Sequence, residues 1–343
     1  MNAAPAPDTP HAPTQPTPRP SGAEYESALT RGAFMMLEQF GVIEASGDDA
    51  AVFLHNQLTN DVQHLDAASV RLAGYCSAKG RLLASMLVWR AGESIRLLSD
   101  RTVVAGLQKR LAMFVLRAKA KLVDASAEVA AVGFAGDVRE ALSTLFDALP
   151  DGVHVHVAGP AGSLIRVPDA RGRARYLWIG TRAEIAARLP ALESRLARVS
   201  PAVWDWLDIQ AGEPRISAPV VEQFVPQMVN FDVLGGVNFR KGCYPGQEVV
   251  ARSQYRGTIK RRTALAHIGE AAEVRAGLEL FHSADPGQPC GMIVNAAPAP
   301  GGGFDALVEI KLAALDAGTV HLGAADGPAL AFEALPYALP AEM

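Results

Sequence analysis

From residue 41 onward, strand-like and helix-like segments alternate, and each is short. Residues 41–45 read as a strand. Ser46 then caps a helix, with Asp48 and Asp49 in its first turn, where carboxylates favour the helix dipole. Val52, Phe53 and Leu54 supply its buried side, and Gln57-Leu58-Thr59-Asn60-Asp61 ends it. Residues 70–77 and 81–89 form a hairpin around Ala78-Lys79-Gly80, with a third strand at 94–98. Residues 101–113 are a helix carrying Val104, Leu107 and Leu111 on one face, and 118–123 alternate as a strand. The style repeats over 127–189: a strand, a helix at 138–146, a strand at 153–157, a hairpin and a helix. Mixed short elements of this kind build α+β domains with antiparallel sheets, not a doubly wound parallel sheet. Neither G-x-G-x-x-G nor a Walker motif occurs, so nucleotide binding by those routes has no support.

Residues 200–210 are a helix bearing Trp204 and Trp206, and 225–239 are loop-rich. After Arg262 the texture changes to short apolar runs punctuated by Gly and Pro, with a turn or loop at 296–303. This pattern fits a small β-barrel or sandwich. A chain of 343 residues exceeds one ordinary core. The expected division is a tail at 1–23, a paired α+β region at 24–262 and a β domain at 263–340. The tail is rich in Ala, Pro and Thr, with seven prolines in its first 22 residues, and reads as disordered. It lacks the apolar core of a signal peptide and the arginines of a transit peptide. No apolar run is long enough to span a bilayer.

The run Phe239-Arg240-Lys241-Gly242-Cys243-Tyr244-Pro245-Gly246-Gln247-Glu248 reads as a site. One cysteine stands beside two cations, between two glycines, just before a helix start. Free cysteine titrates near 8.5, and cations or a helix N-terminus lower that. A buried structural cysteine is the commoner reading for this residue type alone; the neighbours favour function. Pro245-Gly246 fits a turn, or Gly246 caps a helix over 247–254. Gly242 permits close approach of a ligand, and Tyr244 offers a face for stacking. Seven basic residues and one acid lie between Arg240 and Arg262, in a chain of net charge -4. An anionic partner follows: a carboxylate-bearing small molecule, RNA phosphate or an acidic protein. For Lys260–Arg262 alone, a solvated strand start is the favoured reading. Cys76, Cys243 and Cys290 form no disulfide framework, which fits a reducing cytosolic compartment. Cys76 reads as core, Cys290 has no activating neighbour, and His154 and His156 read as surface residues on one strand face.

Lys241-Gly242-Cys243-Tyr244-x-Gly246-Gln247-Glu248 resembles the signature of the YgfZ folate-binding family, the bacterial relatives of mitochondrial iron–sulfur assembly factors. Four other segments agree in order and spacing: Phe53-Leu54-x-x-Gln57-Leu58-Thr59-Asn60-Asp61-Val62, Tyr75-Cys76-x-x-Lys79-Gly80-Arg81, Phe224-Val225-Pro226-Gln227 and Val250-Ala251-Arg252. The resemblance implies an α+β fold of three domains in a ring, similar to the glycine-cleavage aminomethyltransferase, with a small C-terminal β-barrel. It implies tetrahydrofolate in the central channel and a role in making or maintaining iron–sulfur enzymes, including those that methylthiolate tRNA.

On that resemblance Cys243 is the working thiol, in redox exchange or as a transient cluster ligand, and Lys241 supports it. Gln57, Asn60, Asp61, Gln210, Tyr244, Gln247, Glu248 and Arg252 are the residues expected to hold folate. No metal site is implied. Expected partners are folate and iron–sulfur enzymes or assembly proteins; neither direct tRNA binding nor a membrane is expected. The location is the bacterial cytoplasm. The aminomethyltransferase pattern has paired aspartates after the hairpin glycine, whereas Gly80 is followed by Arg81-Leu82-Leu83-Ala84-Ser85. Its pterin-holding glutamate is Gln210 here, and an arginine after glycine is Gln247. Glycine-cleavage activity is therefore not expected. The alternative function is a folate-dependent one-carbon transferase, for which Asp61 and Glu248 are the nearest proton-handling groups.

Overall fold

The computed structural model describes residues 19–255, 259–269 and 273–340. Residues 1–18 of the expected tail, and Arg256 of the basic run, lie outside the described residues. The tail's last residues belong to a helix, Gly22–Leu29, where Ser21 and Glu24 form a capping box.

Three sheets carry the chain. A five-stranded antiparallel sheet has the order Val70–Cys76, Leu82–Ala91, Ser94–Asp100, Phe40–Ser46, Lys121–Asp124. A six-stranded sheet has the order Ala197–Arg198, Ala33–Met36, Val129–Ala135, Arg173–Thr181, Gly162–Ala170, His156–Gly159. The chain visits the second sheet at Ala33–Met36, crosses to the first, and returns at Val129–Ala135. The two are thus interleaved along the chain. The third sheet runs Val320–Leu322, Glu279–His282, Asp285–Pro298, Phe304–Lys311, Arg261–Ile268, Leu330–Glu333. It curls into a half-barrel, and one isolated bridge, His321 to Ala329, links its two edges.

Local chemistry explains the best-formed elements. Arg101–Met113 starts where the Asp100 carboxylate accepts from the Thr102 amide at 2.9 Å, and it buries Val103, Val104, Leu107 and Leu111. Pro201–Gln210 opens with Ser200 accepting from Ala202 and with Pro201 in its first turn. Trp204 and Trp206 are both buried, so this helix is packed on more than one side. One continuous apolar core joins it to all three sheets through residues such as Val42, Leu177 and Leu307.

Several local expectations are corrected. Ser46 ends a strand, and the short helix is Ala50–His55, preceded by Asp49. The Asp49 carboxylate instead accepts from the Lys119 amide, 2.7 Å away in another segment. Val52 is 45% exposed, while Phe53 and Leu54 are buried. The strand expected at 153–157 begins at His156, because His154 takes a left-handed backbone at φ 59°. His156 is buried and the Nε2 of His154 is enclosed, so neither is a surface residue. The 296–303 loop is shorter than expected, since strand Asp285–Pro298 runs through its first half.

Candidate functional site

The signature loop is positioned by an interlock of two glycine turns. Gln247 donates its amide to the Tyr244 carbonyl at 3.2 Å, and Gly246 sits at φ +79°. Pro245-Gly246 is therefore a turn, and the helix Gln247–Tyr255 follows at once. A Cβ on Gly246 would lie 2.4 Å from the Ser77 carbonyl oxygen and 2.6 Å from Gly80. A Cβ on Gly80, at φ +69°, would lie 2.8 Å from Val249. Backbone meets backbone here, and only glycine allows that approach. The Lys79-Gly80 hairpin and the cysteine signature are two halves of one joint.

Within that joint Cys243 is exposed, whereas Cys76 and Cys290 are buried. Burial pushes the Cys76 thiol up to about 12. Lys241 does not face outward. Its ammonium donates to the carbonyls of His55 and, at 2.8 Å, Leu58, at the end of helix Ala50–His55. Burial pulls this lysine down to about 8, with Asp61 and Cys243 opposing. The same ammonium lies 4.9 Å over the Tyr244 ring, which is buried. One face of Tyr244 is thereby covered by a cation instead of being open for stacking.

The segment after that helix is tightly bonded. Asn60 donates to the carbonyls of Leu72 and Gly235, both at 2.7 Å, and accepts from the Asp61 amide at 2.8 Å. Its amide is fully used in joining three segments. Asp61 Oδ1 meets His55 Nδ1 at 3.0 Å, and Oδ2 meets His64 Nδ1 at 2.9 Å. Burial alone would raise this carboxyl; hydrogen bonds from His64 and the nearby histidine charges outweigh it and bring it to about 2. Gln57 has its Oε1 buried without a partner among the described residues. Asn60 and Asp61 also border a cleft of about 520 Å³ with Arg71, Phe239, Arg240 and Tyr255.

Gln247 is half-buried and Glu248 exposed, both in the first turn behind Cys243. Arg252 lies one turn further and borders a different cleft of about 480 Å³, with Met228 and Lys260. Gln210 is elsewhere: its amide donates to Asp305 at 2.8 Å, beside the Trp206 indole on the same carboxylate. The structure thus gathers Gln57, Asn60, Asp61, Lys241, Cys243, Tyr244, Gln247 and Glu248 around one joint, and separates Gln210 and Arg252 from it.

Three cations of the basic run, Lys241, Arg261 and Arg262, are engaged inside the protein, while Arg240, Arg252 and Lys260 are exposed. Arg262 forms a two-pronged pair with Asp232 at 2.6 and 3.0 Å, with side chains only 7% and 4% exposed. Arg261 pairs with Glu309. Of the solvated strand start expected for Lys260–Arg262, Lys260 is exposed, whereas Arg261 and Arg262 form internal ion pairs because Glu309 of the third sheet and Asp232 of the preceding loop reach them.

A second constellation escaped the sequence reading. Arg175, fully buried, pairs with Asp208 at 2.6 Å and Glu213 at 2.7 Å and stacks 4.9 Å over Trp204. Arg215 reaches Asp100, Asp205 and Asp208 at 3.0, 2.7 and 3.2 Å. Burial raises both Asp208 and Glu213. Asp100, Asp208, Glu213 and Arg215 form the polar end of a slot of about 70 Å³ whose other walls include Phe40, Leu72, Met86 and Trp204. The one local signal was Asp205 and Asp208, three apart on an otherwise apolar helix.

Three sheets in this arrangement, with a glycine-locked loop at the first hairpin, define a protein of the aminomethyltransferase T fold. The glycine cleavage system aminomethyltransferase T from Bartonella henselae superposes with a TM-score of 0.72, over 92% of this chain and 88% of that one, at 17% identity. The chain belongs to the YgfZ family. It is 37% identical over 271 residues to the tRNA-modifying protein YgfZ of Edwardsiella ictaluri (strain 93-146), covering 76% of this chain and 80% of that protein. It is 32% identical over 245 residues to the tRNA-modifying protein YgfZ of Serratia proteamaculans (strain 568), covering 71% and 72%. No family model matches the chain. No helix among the described residues is long and apolar enough to cross a membrane.

Proposed function

We propose that this protein is a tetrahydrofolate-binding accessory factor for iron–sulfur cluster synthesis or repair. It supports tRNA methylthiolation indirectly and acts through Cys243 in the bacterial cytoplasm. The observation that carries this reading is the cysteine itself. Cys243 is exposed on a loop held by two glycine turns and a half-buried lysine, while the other two cysteines are core. Its partners are iron–sulfur enzymes or their assembly proteins, which meet the thiol from solvent.

The central slot supports the folate part. A pterin presents an edge of N–H donors on a flat ring. Carboxylates accept such an edge with charge assistance, and apolar walls take the ring. Asp100, Asp208 and Glu213 at the polar end, where Glu213 bonds Arg175 through one oxygen only, with Leu72 and Met86 on the walls, support that chemistry. At about 70 Å³ the slot admits the ring's edge, so ring entry requires the walls to part. Bound tetrahydrofolate would supply a reduced pterin to the interior. Gln57, Asn60, Asp61, Gln247 and Glu248 shape the Cys243 end. Gln210 acts from behind the slot through the Pro201–Gln210 helix, and Arg252 from the neighbouring cleft.

Expression of wild type and Cys243→Ser in a bacterium lacking its own relative tests the reading, with tRNA methylthiolation as the readout. Rescue by wild type alone is expected. Equal rescue by both removes the thiol from the function. Rescue by neither, with soluble protein present, removes the iron–sulfur role.

A further inference from the structure

We infer that His55, oriented by Asp61, is the proton acceptor for the Cys243 thiol. This rests on the reading of Cys243 as the working group and extends it to a residue that no motif marked.

The tautomer follows from hydrogen-bond chemistry. An ionised carboxylate only accepts, so the 3.0 Å contact to Asp61 Oδ1 places the proton on His55 Nδ1. The Gln63 amide also points at this nitrogen, at 3.4 Å, a longer and weaker contact than the charge-assisted one to Asp61. Nε2 is then the basic nitrogen. Asp61 is itself fixed by His64, which donates from its ring at 2.9 Å and from its amide at 3.1 Å. A base held by a third group in this way is the arrangement that activates nucleophiles.

The basic nitrogen faces the signature. A Cβ built on Gly242 would lie 3.8 Å from His55 Nε2, an ordinary contact. The missing side chain leaves that edge of the imidazole open, and Cys243 is the next residue, its Cα about 3.8 Å along the chain. Lys241 ties the other side of the loop to the carbonyl of His55 itself. The cysteine is thus bound to the histidine through the lysine two residues before it. Among the described residues neither His55 Nε2 nor the Cys243 sulfur has a hydrogen-bond partner, so both are free to meet when the exposed Cys243 side chain turns toward the ring. The groups facing the imidazole are Asp61 and His64 from the following loop, with ring centroids of His55 and His64 6.3 Å apart, and Gly242 of the signature, while Lys241 holds the backbone carbonyl of His55.

The step is a proton transfer. The Sγ–H proton moves to His55 Nε2, leaving a thiolate beside an imidazolium whose charge Asp61 balances. With iodoacetamide, the sulfur forms a C–S bond as iodide leaves.

The test is the rate of Cys243 alkylation by iodoacetamide from pH 5.5 to 9, read by peptide mass spectrometry on the full chain. Buried Cys76 and Cys290 serve as internal controls, and free cysteine runs alongside. Wild type is expected to react faster than free cysteine at pH 7. His55→Gln is expected to lose about 10-fold at pH 7, less than the roughly 10²–10⁴-fold of general-base catalysis because a free thiol near 8.5 is already partly ionised there, and to adopt the pH profile of free cysteine. Asp61→Asn is expected to lose several-fold in the same direction and decides the matter if His55→Gln does not fold. A folded variant of either kind with wild-type rate and profile overturns the inference. Wild type reacting no faster than free cysteine overturns the reactive-thiol reading beneath it.

Discussion

Replacing Gly246 with alanine puts a methyl group where the structure has none to spare. Two costs add. The backbone sits at φ +79°, and an L-residue there loses about 1–2 kcal/mol. The new Cβ would also stand 2.4 Å from the Ser77 carbonyl oxygen and 2.6 Å from the Gly80 backbone. Those are main-chain atoms of a paired hairpin and cannot rotate away, so overpacking adds about 1–3 kcal/mol. The expected loss is about 2–5 kcal/mol, a large part of a typical total of about 5–15 kcal/mol. Urea unfolding followed by tryptophan fluorescence measures it, since Trp89, Trp178, Trp204 and Trp206 are all buried. Gly242→Ala is the matched control. Its Cβ meets only His55 Nε2 at 3.8 Å, so less than about 1 kcal/mol is expected. If Gly246→Ala stays within about 0.5 kcal/mol of wild type, or if the two variants cost the same, the interlock is not what holds the signature loop.

Three further outcomes are expected. Asp232→Asn strands the buried Arg262 charge and should cost about 3–5 kcal/mol, while the double change Arg262→Met with Asp232→Leu recovers most of it; a double variant as unstable as the single one refutes the charge argument. Burial holds His154 down to about 4, assisted by Arg71, against an ordinary 6.5. The unfolded chain therefore takes up a proton that the folded one refuses, and stability falls as pH drops from 6.5 to 4, by up to about 3 kcal/mol. His154→Asn, which tolerates the left-handed backbone, should flatten that slope, and an unchanged slope in denaturant titrations sinks the assignment. Asp208→Asn should weaken tetrahydrofolate binding about 10-fold by calorimetry; wild-type affinity would move the pterin out of the central slot.

The elements that were legible in the sequence are those whose causes are local. The Arg101–Met113 helix was readable because the apolar spacing of Val104, Leu107 and Leu111 lies within the segment, and the Asp100 cap stands directly before it. The hairpin around Ala78-Lys79-Gly80 and the turn at Pro245-Gly246 were readable for the same reason. His156 was misjudged because alternation in a strand does not say which face is covered. Here the second sheet and the 68–70 segment close over it, with the His156 amide bonding to Ala68.

Sequence by itself determined the α+β class and the family, and it singled out the signature that carries Cys243, since these rest on residue type, spacing and short-range turns. The tertiary structure alone decided which groups meet. Arg215 finds Asp100 across 115 positions, Arg262 finds Asp232 across 30, and Lys241 finds the end of the helix that carries His55. The physical reason is range. Helix caps and turns are closed by neighbours in the chain, whereas buried charges are satisfied by whatever acid, carbonyl or ring the packing of three sheets brings within about 3 Å.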